Sequence, residues 1–217
     1  MNIRAKICGI GTPEAMQAAL DGGARYVGLV FFPRSPRNVS IATAAELSRM
    51  VRTGTRVVGL FVDPADDMLA DVLAQVPLDL IQLHGSETPE RVAAIKARFA
   101  LPVLKAVKVA EPADLDAARA FEGVADMLLF DAKPPRGALL PGGNGIRFDW
   151  SLLTGRRWDC PWMLSGGLDP DNVADAVRAT GATAVDVSSG VEDAPGRKSP
   201  ARIRAFLTAV AGIRGTA

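Results

Sequence analysis

Short, continuous apolar runs recur along the chain, with helix-forming segments between them. Met127-Leu128-Leu129-Phe130 runs directly into Asp131, and Pro134-Pro135 follows. A run this short, apolar on both faces, predicts a strand of a parallel sheet that helices cover. We predict eight such strands, over residues 5–9 (ending at Cys8), 26–31, 56–62, 78–83, 103–107, 127–131, 162–165 and 184–187.

Helix-start signals lie between these strands. Thr12-Pro13-Glu14 and Thr88-Pro89-Glu90 each offer a Thr N-cap and a Pro at the first helical position. Further helix starts are predicted at Asp63-Pro64, at Asp169-Pro170 and at Ser199-Pro200, the last of these continuing to about Ile213. Helices are also predicted over 43–52 and 113–121, with a short helical turn near 150–153.

Strict alternation of strands and helices predicts a parallel sheet with right-handed crossovers. Eight repeats in 217 residues fit an α/β fold, a single (β/α)₈ TIM barrel that occupies residues 1–217 as one domain. An open doubly wound sheet is the alternative. It would leave the last strands unexplained, and no Gly-x-Gly-x-x-Gly follows the first strand.

Composition excludes several function classes. Hydrophobic residues make up 48% and charged residues 23%, which is typical of a globular protein, and the net charge of +1 favours neither a nucleic acid nor a membrane as partner. No apolar run approaches the roughly 20 residues of a membrane span, and no signal peptide is apparent. Two cysteines predict a reducing cytoplasm rather than a disulfide scaffold. His84 is the only histidine, and no metal-ligand spacing occurs.

Candidate chemistry lies where the strands end, because the carboxyl ends of all eight barrel strands converge on one face. Those positions are Cys8, Arg37, Asp63, His84, Lys105 or Lys108, Asp131, Gly166-Gly167 and Ser188-Ser189-Gly190. The last two segments follow strands seven and eight, where barrels place a phosphate site, and glycine lets backbone N–H groups approach an anion closely. Two tight turns without a ligand are the alternative.

Cys8 and Asp131 form a candidate acid/base pair. Lys6 lies two residues before Cys8 and shares its direction, so a cation could lower the thiol pKa from its usual value near ~8.5. A thiolate accepts a proton from carbon, and a carboxyl kept protonated by burial donates one to oxygen. The alternatives stay open: Asp131 as a turn cap, and Cys8 as a small buried residue, which is how we interpret Cys160. The loop 132–146 is either a lid or a surface loop.

The chain resembles the phosphoribosylanthranilate isomerase family over nearly its whole length. The shared segments are Lys6-Ile7-Cys8-Gly9, Phe31-Phe32-Pro33-Arg34-Ser35-Pro36-Arg37, Gly59-Leu60-Phe61-Val62, Gln82-Leu83-His84-Gly85, Leu129-Phe130-Asp131, Gly142-Gly143-Asn144-Gly145, Phe148-Asp149-Trp150, Leu164-Ser165-Gly166-Gly167-Leu168 and Ser188-Ser189-Gly190-Val191-Glu192. Each segment is weak alone, but all of them in order are specific. Asn144 and Ser165 depart from the residues frequent in the family.

The resemblance implies an Amadori rearrangement of N-(5-phosphoribosyl)anthranilate in tryptophan biosynthesis, with no metal and no organic cofactor. It implies that Asp131 is the general acid and Cys8 the general base, and that Arg37 holds the anthranilate carboxylate. Gly166, Gly167, Ser188, Ser189 and Gly190 would bind the phosphate. His84 is expected on the substrate side, packing or hydrogen bonding.

Two other functions compete with this one. A lyase related to indole-glycerol-phosphate synthase would share the barrel and the phosphate site, but it would be expected to use lysine and glutamate at the strand ends. A non-catalytic module that binds a phosphorylated sugar would bind the same ligand without converting it. A monomer is the default expectation for the oligomeric state, with a dimer left open.

Overall fold

The computed structural model describes residues 3–133, 142, 143, 145 and 147–213. Eight parallel strands form a closed barrel in chain order, and these are β1 (Arg4–Cys8), β2 (Tyr26–Phe31), β3 (Arg56–Phe61), β4 (Leu80–Leu83), β5 (Val103–Val109), β6 (Met127–Ala132), β7 (Trp162–Leu164) and β8 (Ala184–Val187). Pairing of β8 with β1, from Arg4 opposite Ala184 to Ile7 opposite Val187, closes the barrel. The predicted (β/α)₈ TIM barrel is confirmed.

Helices follow most strands on the outside of the barrel. They are α1 (Pro13–Asp21), α2 (Ile41–Arg49), α3 (Asp66–Leu73), α4 (Pro89–Phe99), α5 (Pro112–Ala118), α6 (Val173–Thr180) and α7 (Pro200–Ala211). Single turns of 3₁₀-helix occur at Arg119–Phe121, Trp150–Leu153 and Ser189–Val191. Between β8 and α7 the chain adds a two-stranded hairpin, β9 (Glu192–Ala194) and β10 (Arg197–Lys198), which we did not predict. No helix in the described ranges is long and apolar enough to cross a membrane.

Side-chain alternation along the strands divides the core in two. One cluster fills the lower barrel interior, and its members are Tyr26, Val58, Leu80, Leu104, Ala106, Met127, Leu129, Met163 and Ala184. A larger cluster packs the other faces of the strands against the helices. Because successive side chains point to opposite faces, Asp131 continues the inward row of Met127 and Leu129. The same parity turns Lys6 and Cys8 inward on β1, and it places the end of each inward row at the barrel mouth.

The Thr-Pro signals at the starts of α1 and α4 are confirmed. Thr12 Oγ1 accepts a hydrogen bond from Ala15 N, and Thr88 Oγ1 accepts one from Arg91 N, both at 3.3 Å. These bonds satisfy N–H groups that a helix start otherwise leaves unpaired. Pro200 likewise begins α7.

The helix starts predicted at Asp63-Pro64 and Asp169-Pro170 are wrong. α3 begins at Asp66, and Asp63 instead accepts a hydrogen bond from Ser86 N at 2.7 Å. α6 begins at Val173, because Asp169 Oδ1 accepts from Asp171 N and Asn172 N in a turn before the helix, both at 2.9 Å. Each carboxylate caps loop amides rather than a first helical turn.

Other element bounds differ from the prediction by a few residues. β4 begins at Leu80 rather than Leu78, and β5 continues to Val109. The helix predicted over 43–52 is α2, which begins at Ile41 because Ser40 Oγ accepts from Thr43 N at 3.0 Å. The segment predicted as helix over 113–121 is α5 with a 3₁₀ turn after it. The loop 132–146 lies mostly outside the described residues.

Candidate active site

The inward rows of the barrel end in an open cavity at the carboxyl ends of the strands. It encloses about 780 Å³, counted out to its mouth, which is the size of a small-molecule site. Eight of the nine predicted site residues line it, and these are Cys8, Arg37, His84, Asp131, Gly166, Gly167, Ser188 and Ser189. Gly190 does not line it. A Cβ at Gly190 would overlap the Leu168 carbonyl, so this glycine permits a close backbone crossing behind the cavity.

Cys8 lies next to a buried ion pair. Lys6 is fully buried, and its Nζ donates to Asp186 Oδ1 at 2.8 Å. Asp186 Oδ2 accepts from Ser165 Oγ at 3.1 Å. Gly28 on β2 leaves room for this group, because a Cβ there would lie 3.0 Å from Cys8 Sγ and 3.3 Å from Lys6 Nζ. Thiol, ammonium and carboxylate therefore form one contiguous network beside the cavity, and both Cys8 and Asp186 line it.

Burial and charge act in opposite directions on the thiol. Burial raises the pKa of Cys8, the Lys6 ammonium lowers it in part, and the net result lies above the usual value. Burial alone would lower the pKa of Lys6, but the charges of Asp186 and Cys8 outweigh it and raise that pKa. Lys6 therefore stays charged beside the thiol. The expectation that this cation would bring the thiol pKa below its ordinary value is wrong, because burial dominates.

Asp131 lines the same cavity as Cys8, from β6. Its Oδ1 accepts a hydrogen bond from Ala132 N at 2.9 Å, and its Oδ2 lies 3.2 Å from His84 Nε2. That distance is within ion-pair range, but the geometry is not that of a hydrogen bond, and His84 Nε2 has no hydrogen-bond partner among the described residues. Both atoms are therefore available to a ligand.

His84 is oriented by the strand that carries it. Gln82 lies two residues earlier on β4, and its Nε2 lies 3.0 Å from His84 Nδ1. With the amide in this orientation Gln82 donates to Nδ1, so a neutral imidazole carries its hydrogen on Nε2, toward Asp131. A Cβ at Gly142 would lie 2.5 Å from His84 Nε2 and 2.7 Å from Asp131 Oδ2. Gly142 therefore covers this side of the cavity.

Arg37 reaches the cavity from the loop after β2. Gly9 has a φ of +80°, and a Cβ there would lie 2.8 Å from Arg37 Cδ, so only glycine lets the arginine stem cross β1 at this point. The guanidinium donates from Nε and Nη2 to the two carboxylate oxygens of Glu192, at 2.7 and 2.8 Å. Nη2 also donates to the Gly143 carbonyl at 3.1 Å. In the described part of the chain, Nη1 donates to no acceptor.

Two turns, at the ends of β7 and β8, line the cavity. Gly166 and Gly167 both have positive φ, and a Cβ at Gly166 would lie 2.9 Å from Ala132 N. Ser188 precedes the 3₁₀ turn Ser189–Val191, and its Oγ donates to the Cys8 carbonyl at 3.2 Å. Unpaired N–H groups and hydroxyls at such turns suit an anion.

Three other predicted strand-end residues do not join the cavity. Lys105 turns outward between Leu104 and Ala106, and its Nζ donates to Glu87 Oε2 at 2.7 Å. Asp63 is part of the same outer group of loops. Lys108 points inward but is half-buried and lies outside the cavity lining. Within the described ranges, no three His, Cys, Asp or Glu side chains are arranged to hold a metal ion. Cys8 and Cys160 are both free thiols.

The prediction missed four polar residues that shape the site. Asp186 and Gln82 are not among the predicted site residues, although each is a polar residue at an inward position of a buried strand, which side-chain alternation alone predicts. Gln82 and Glu192 enter the prediction only as members of segments shared with the family, and Lys198 does not enter it. Both belong to the unpredicted hairpin, and Glu192 is 155 residues from its partner Arg37, so no local pattern joins them.

Comparison with known proteins agrees with this geometry. Residues 5–209 match the family described as N-(5'-phosphoribosyl)anthranilate (PRA) isomerase. The N-(5'-phosphoribosyl)anthranilate isomerase of Rhodospirillum centenum is 65% identical over 98% of this chain and 100% of its own length.

Solved structures give the same result. A phosphoribosyl anthranilate isomerase in complex with reduced 1-(o-carboxyphenylamino)-1-deoxyribulose 5-phosphate is 35% identical, with a TM-score of 0.84 over 97% of this chain and 99% of that one. A structure of monomers generated from the dimeric Thermotoga maritima enzyme is 36% identical, with a TM-score of 0.83 and the same coverage. The chain therefore belongs to the phosphoribosylanthranilate isomerase family.

Proposed function

We propose that this protein converts N-(5-phosphoribosyl)anthranilate to 1-(2-carboxyphenylamino)-1-deoxyribulose 5-phosphate, an Amadori rearrangement of tryptophan biosynthesis. The observation that carries the proposal is the set of groups that line one cavity. A thiol and a carboxyl group both line it, and so do an arginine and two turns of a kind that suits anions. The family membership and the relative that holds the reduced product analogue support the same substrate.

The first step opens the sugar ring. Asp131 gives its proton to the furanose ring oxygen, the bond between that oxygen and C1′ breaks, and the nitrogen lone pair forms a Schiff base with C1′. Asp131 Oδ2 suits this role because it lies at the end of the inward row of β6 and has no hydrogen bond from His84. His84 Nε2, 3.2 Å away, can donate to the sugar or to the carboxylate that remains.

The second step moves a proton from carbon. Cys8 as thiolate removes the proton from C2′, and the electron pair forms an enolamine. Loss of the C2′ hydroxyl proton and protonation of C1′ then give the ketone, so the product is an isomer of the substrate. Lys6 stabilises the thiolate, and Asp186 keeps Lys6 in place and charged. Positioned acids and bases of this kind contribute roughly 10²–10⁴-fold each.

The two ends of the substrate are anionic, and the cavity offers a group for each. Arg37 would bind the anthranilate carboxylate through the edge that carries Nη1, since Glu192 occupies the other edge. The phosphate would lie against the amides of Gly166, Gly167 and the turn after Ser188. Gly190 contributes to that turn through its close backbone packing rather than as part of the cavity wall.

The lyase alternative is less well supported. It would use lysine and glutamate at the strand ends, and the chain does hold such a pair, Lys105 and Glu87. That pair faces away from the barrel interior and neither residue lines the cavity. The inward positions at the ends of β1 and β6 carry Cys8 and Asp131 instead.

The proposal extends to the organisation of the protein. We propose that residues 1–217 form one domain, supported by a family match that runs from residue 5 to residue 209. We also propose a cytoplasmic monomer, on the free thiols and on the lack of any interface stripe in the sequence. The dimeric Thermotoga maritima relative keeps a dimer as the competing state, and the mass of the purified protein in solution decides between them.

The test of the proposed function is the fluorescence of the anthranilate group. Purified protein mixed with freshly made N-(5-phosphoribosyl)anthranilate is expected to abolish that fluorescence catalytically, at substoichiometric enzyme. A binding module would bind the substrate and leave the fluorescence unconverted. Binding without conversion at stoichiometric protein would therefore refute the isomerase assignment.

A further inference from the structure

The hairpin that follows β8 carries a buried charge cluster behind the cavity wall. Glu192 on β9 and Lys198 on β10 are both buried, and Lys198 Nζ donates to Glu192 Oε1 at 2.6 Å. Neither residue lines the main cavity. No step of the proposed mechanism uses them, yet each contacts a residue that does line it.

Glu192 fixes the guanidinium of Arg37. Its two carboxylate oxygens receive hydrogen bonds from Nε and Nη2, which is the bidentate arrangement that restricts both the position and the plane of an arginine. Burial alone would raise the pKa of Glu192, but the hydrogen bonds from Arg37 and the charge of Lys198 hold it below its usual range. Glu192 is therefore ionised, and the arginine keeps Nη1 for a ligand.

Lys198 fixes the turn on the other side. Its Nζ donates to the Ser188 carbonyl at 2.9 Å and to Ser188 Oγ at 3.2 Å. Ser188 Oγ in turn donates to the carbonyl of Cys8 at 3.2 Å. The residue that introduces the Ser189–Val191 turn is thus held by the same ammonium that pairs with Glu192.

We infer that Glu192 and Lys198 are positioning residues that set the separation between the carboxylate-binding arginine and the phosphate-binding turn. This inference rests on the proposed function, and it makes the hairpin a determinant of specificity for ligands that carry a carboxylate at one end and a phosphate at the other. The contacts run in one chain: the Arg37 guanidinium contacts the Glu192 carboxylate, which contacts the Lys198 ammonium. That ammonium in turn contacts Ser188. A ligand with only one of the two anionic groups would use half of this arrangement.

The first test measures binding by calorimetry with three probes: reduced 1-(2-carboxyphenylamino)-1-deoxyribulose 5-phosphate, anthranilate and inorganic phosphate. Glu192→Gln keeps the length of the side chain and removes its charge. It is expected to lower the affinity for anthranilate and for the reduced product analogue, the two-ended probe, by about 10- to 100-fold, which is the range for a lost charge-assisted hydrogen bond. The affinity for inorganic phosphate should stay unchanged. In turnover, KM should rise by a similar factor while kcat changes by less than about threefold.

Lys198→Met is the reciprocal variant. It is expected to lower the affinity for the two-ended probe and for inorganic phosphate and to leave the affinity for anthranilate unchanged. The exposed hairpin residues Asp193 and Arg197 provide matched controls, since Asp193→Asn and Arg197→Met make the same charge changes without touching Arg37 or Ser188. Both controls should bind all three probes as the unaltered protein does.

The double variant Glu192→Gln/Lys198→Met is the control for misfolding, because neither member of the Glu192–Lys198 pair is left without the other, and Arg37 loses its carboxylate only as it does in Glu192→Gln. It should still bind the two-ended probe at least tenfold more weakly than the unaltered protein. Restored affinity in the double variant, or unchanged affinity in Glu192→Gln, would overturn the inference. Because calorimetry needs no turnover, a protein that binds the two-ended probe but fails the fluorescence assay would refute the isomerase and leave the positioning role intact.

Discussion

Two of the buried lysine–carboxylate pairs have their lysine on a barrel strand, and they differ mainly in the side of the strand that carries the lysine. Lys6 Nζ is 2.8 Å from Asp186 Oδ1, and Lys105 Nζ is 2.7 Å from Glu87 Oε2. Lys6 belongs to an inward row and lies next to Cys8. Lys105 belongs to an outward row and lies under the loops between the strands.

The partners of each pair follow from that difference. The outer pair ties loops together, because Lys105 Nζ also donates to the Gly85 carbonyl at 3.0 Å and Glu87 accepts from Asp63 N at 2.9 Å. The inner pair has a thiol and the Ser165 hydroxyl as neighbours. The same kind of ion pair therefore joins loops on one face of the barrel wall and lies beside a thiol on the other.

The largest expected effect on turnover comes from changing the two proposed acid/base residues at the ends of inward rows. Cys8→Ser and Asp131→Asn should each reduce kcat by roughly 10²–10⁴-fold, the usual contribution of one positioned proton transfer, as measured in the fluorescence assay. Cys160→Ser is the matched control, since that half-buried thiol is remote from the cavity, and it should retain full turnover. Unchanged kcat in Cys8→Ser or Asp131→Asn would remove that residue from the mechanism.

The next prediction compares the two pairs directly. Breaking a buried pair leaves an uncompensated charge, so both partners are changed together. Lys6→Met/Asp186→Asn should remain folded and lose roughly 10- to 100-fold in kcat/KM, because a neighbouring cation changes the population of a thiolate by about that factor.

The outer counterpart is Lys105→Met/Glu87→Gln, which should keep its kcat/KM within about threefold and change only the thermal midpoint. Steady-state kinetics and thermal melts of the two double variants make the comparison. Equal loss of activity in both would contradict the division between inner and outer faces.

A smaller effect is expected on the pH dependence. Burial places the pKa of Cys8 above its usual value, so the thiol is protonated near neutral pH and kcat/KM should rise as pH increases through the alkaline range. In Lys6→Met/Asp186→Asn the thiolate loses its neighbouring cation, whose effect on the pKa of Cys8 is larger than the opposing effect of Asp186. The pKa therefore rises further and the alkaline rise moves to higher pH. A profile of log kcat/KM between about pH 6 and 10 measures both proteins. Movement to lower pH in the double variant would contradict the sign of this argument.

The smallest effect is expected at Ser165, whose Oγ donates to Asp186 Oδ2. Ser165→Ala removes one hydrogen bond at the far side of the inner pair, which should reduce kcat/KM by at most about tenfold. Ser48→Ala is a control, since that buried hydroxyl donates only to the Ala45 carbonyl within α2. A loss in Ser165→Ala as large as in the inner double variant would mean that the serine itself contacts the substrate.

The sequence predicted the elements of the barrel because its strands are continuous apolar runs and its helices begin with local caps. Met127–Phe130 ending at Asp131 is such a run, and Thr12-Pro13 is such a cap. Local patterns failed where a carboxylate had a partner from another loop. Asp63, for example, resembles an N-cap in sequence but binds Ser86 N.

The candidate site could be predicted in part. Strand ends identified Cys8, His84 and Asp131, because barrel topology brings all such ends to one face. The ion pairs behind them could not be predicted, since Lys6 and Asp186 are 180 residues apart and are joined only by closure of β1 onto β8. The direction of the Cys8 pKa shift could not be predicted either, because it depends on how deeply the packed structure buries the thiol.

The most direct test is a crystal structure with reduced 1-(2-carboxyphenylamino)-1-deoxyribulose 5-phosphate bound. The account predicts the phosphate at Gly166-Gly167 and Ser188-Ser189, the carboxylate at Arg37, and both Cys8 Sγ and Asp131 Oδ2 within roughly 3.5 Å of the sugar chain. A reversed ligand, with the phosphate at Arg37, or a sugar chain that only one of the two groups can reach, would contradict it.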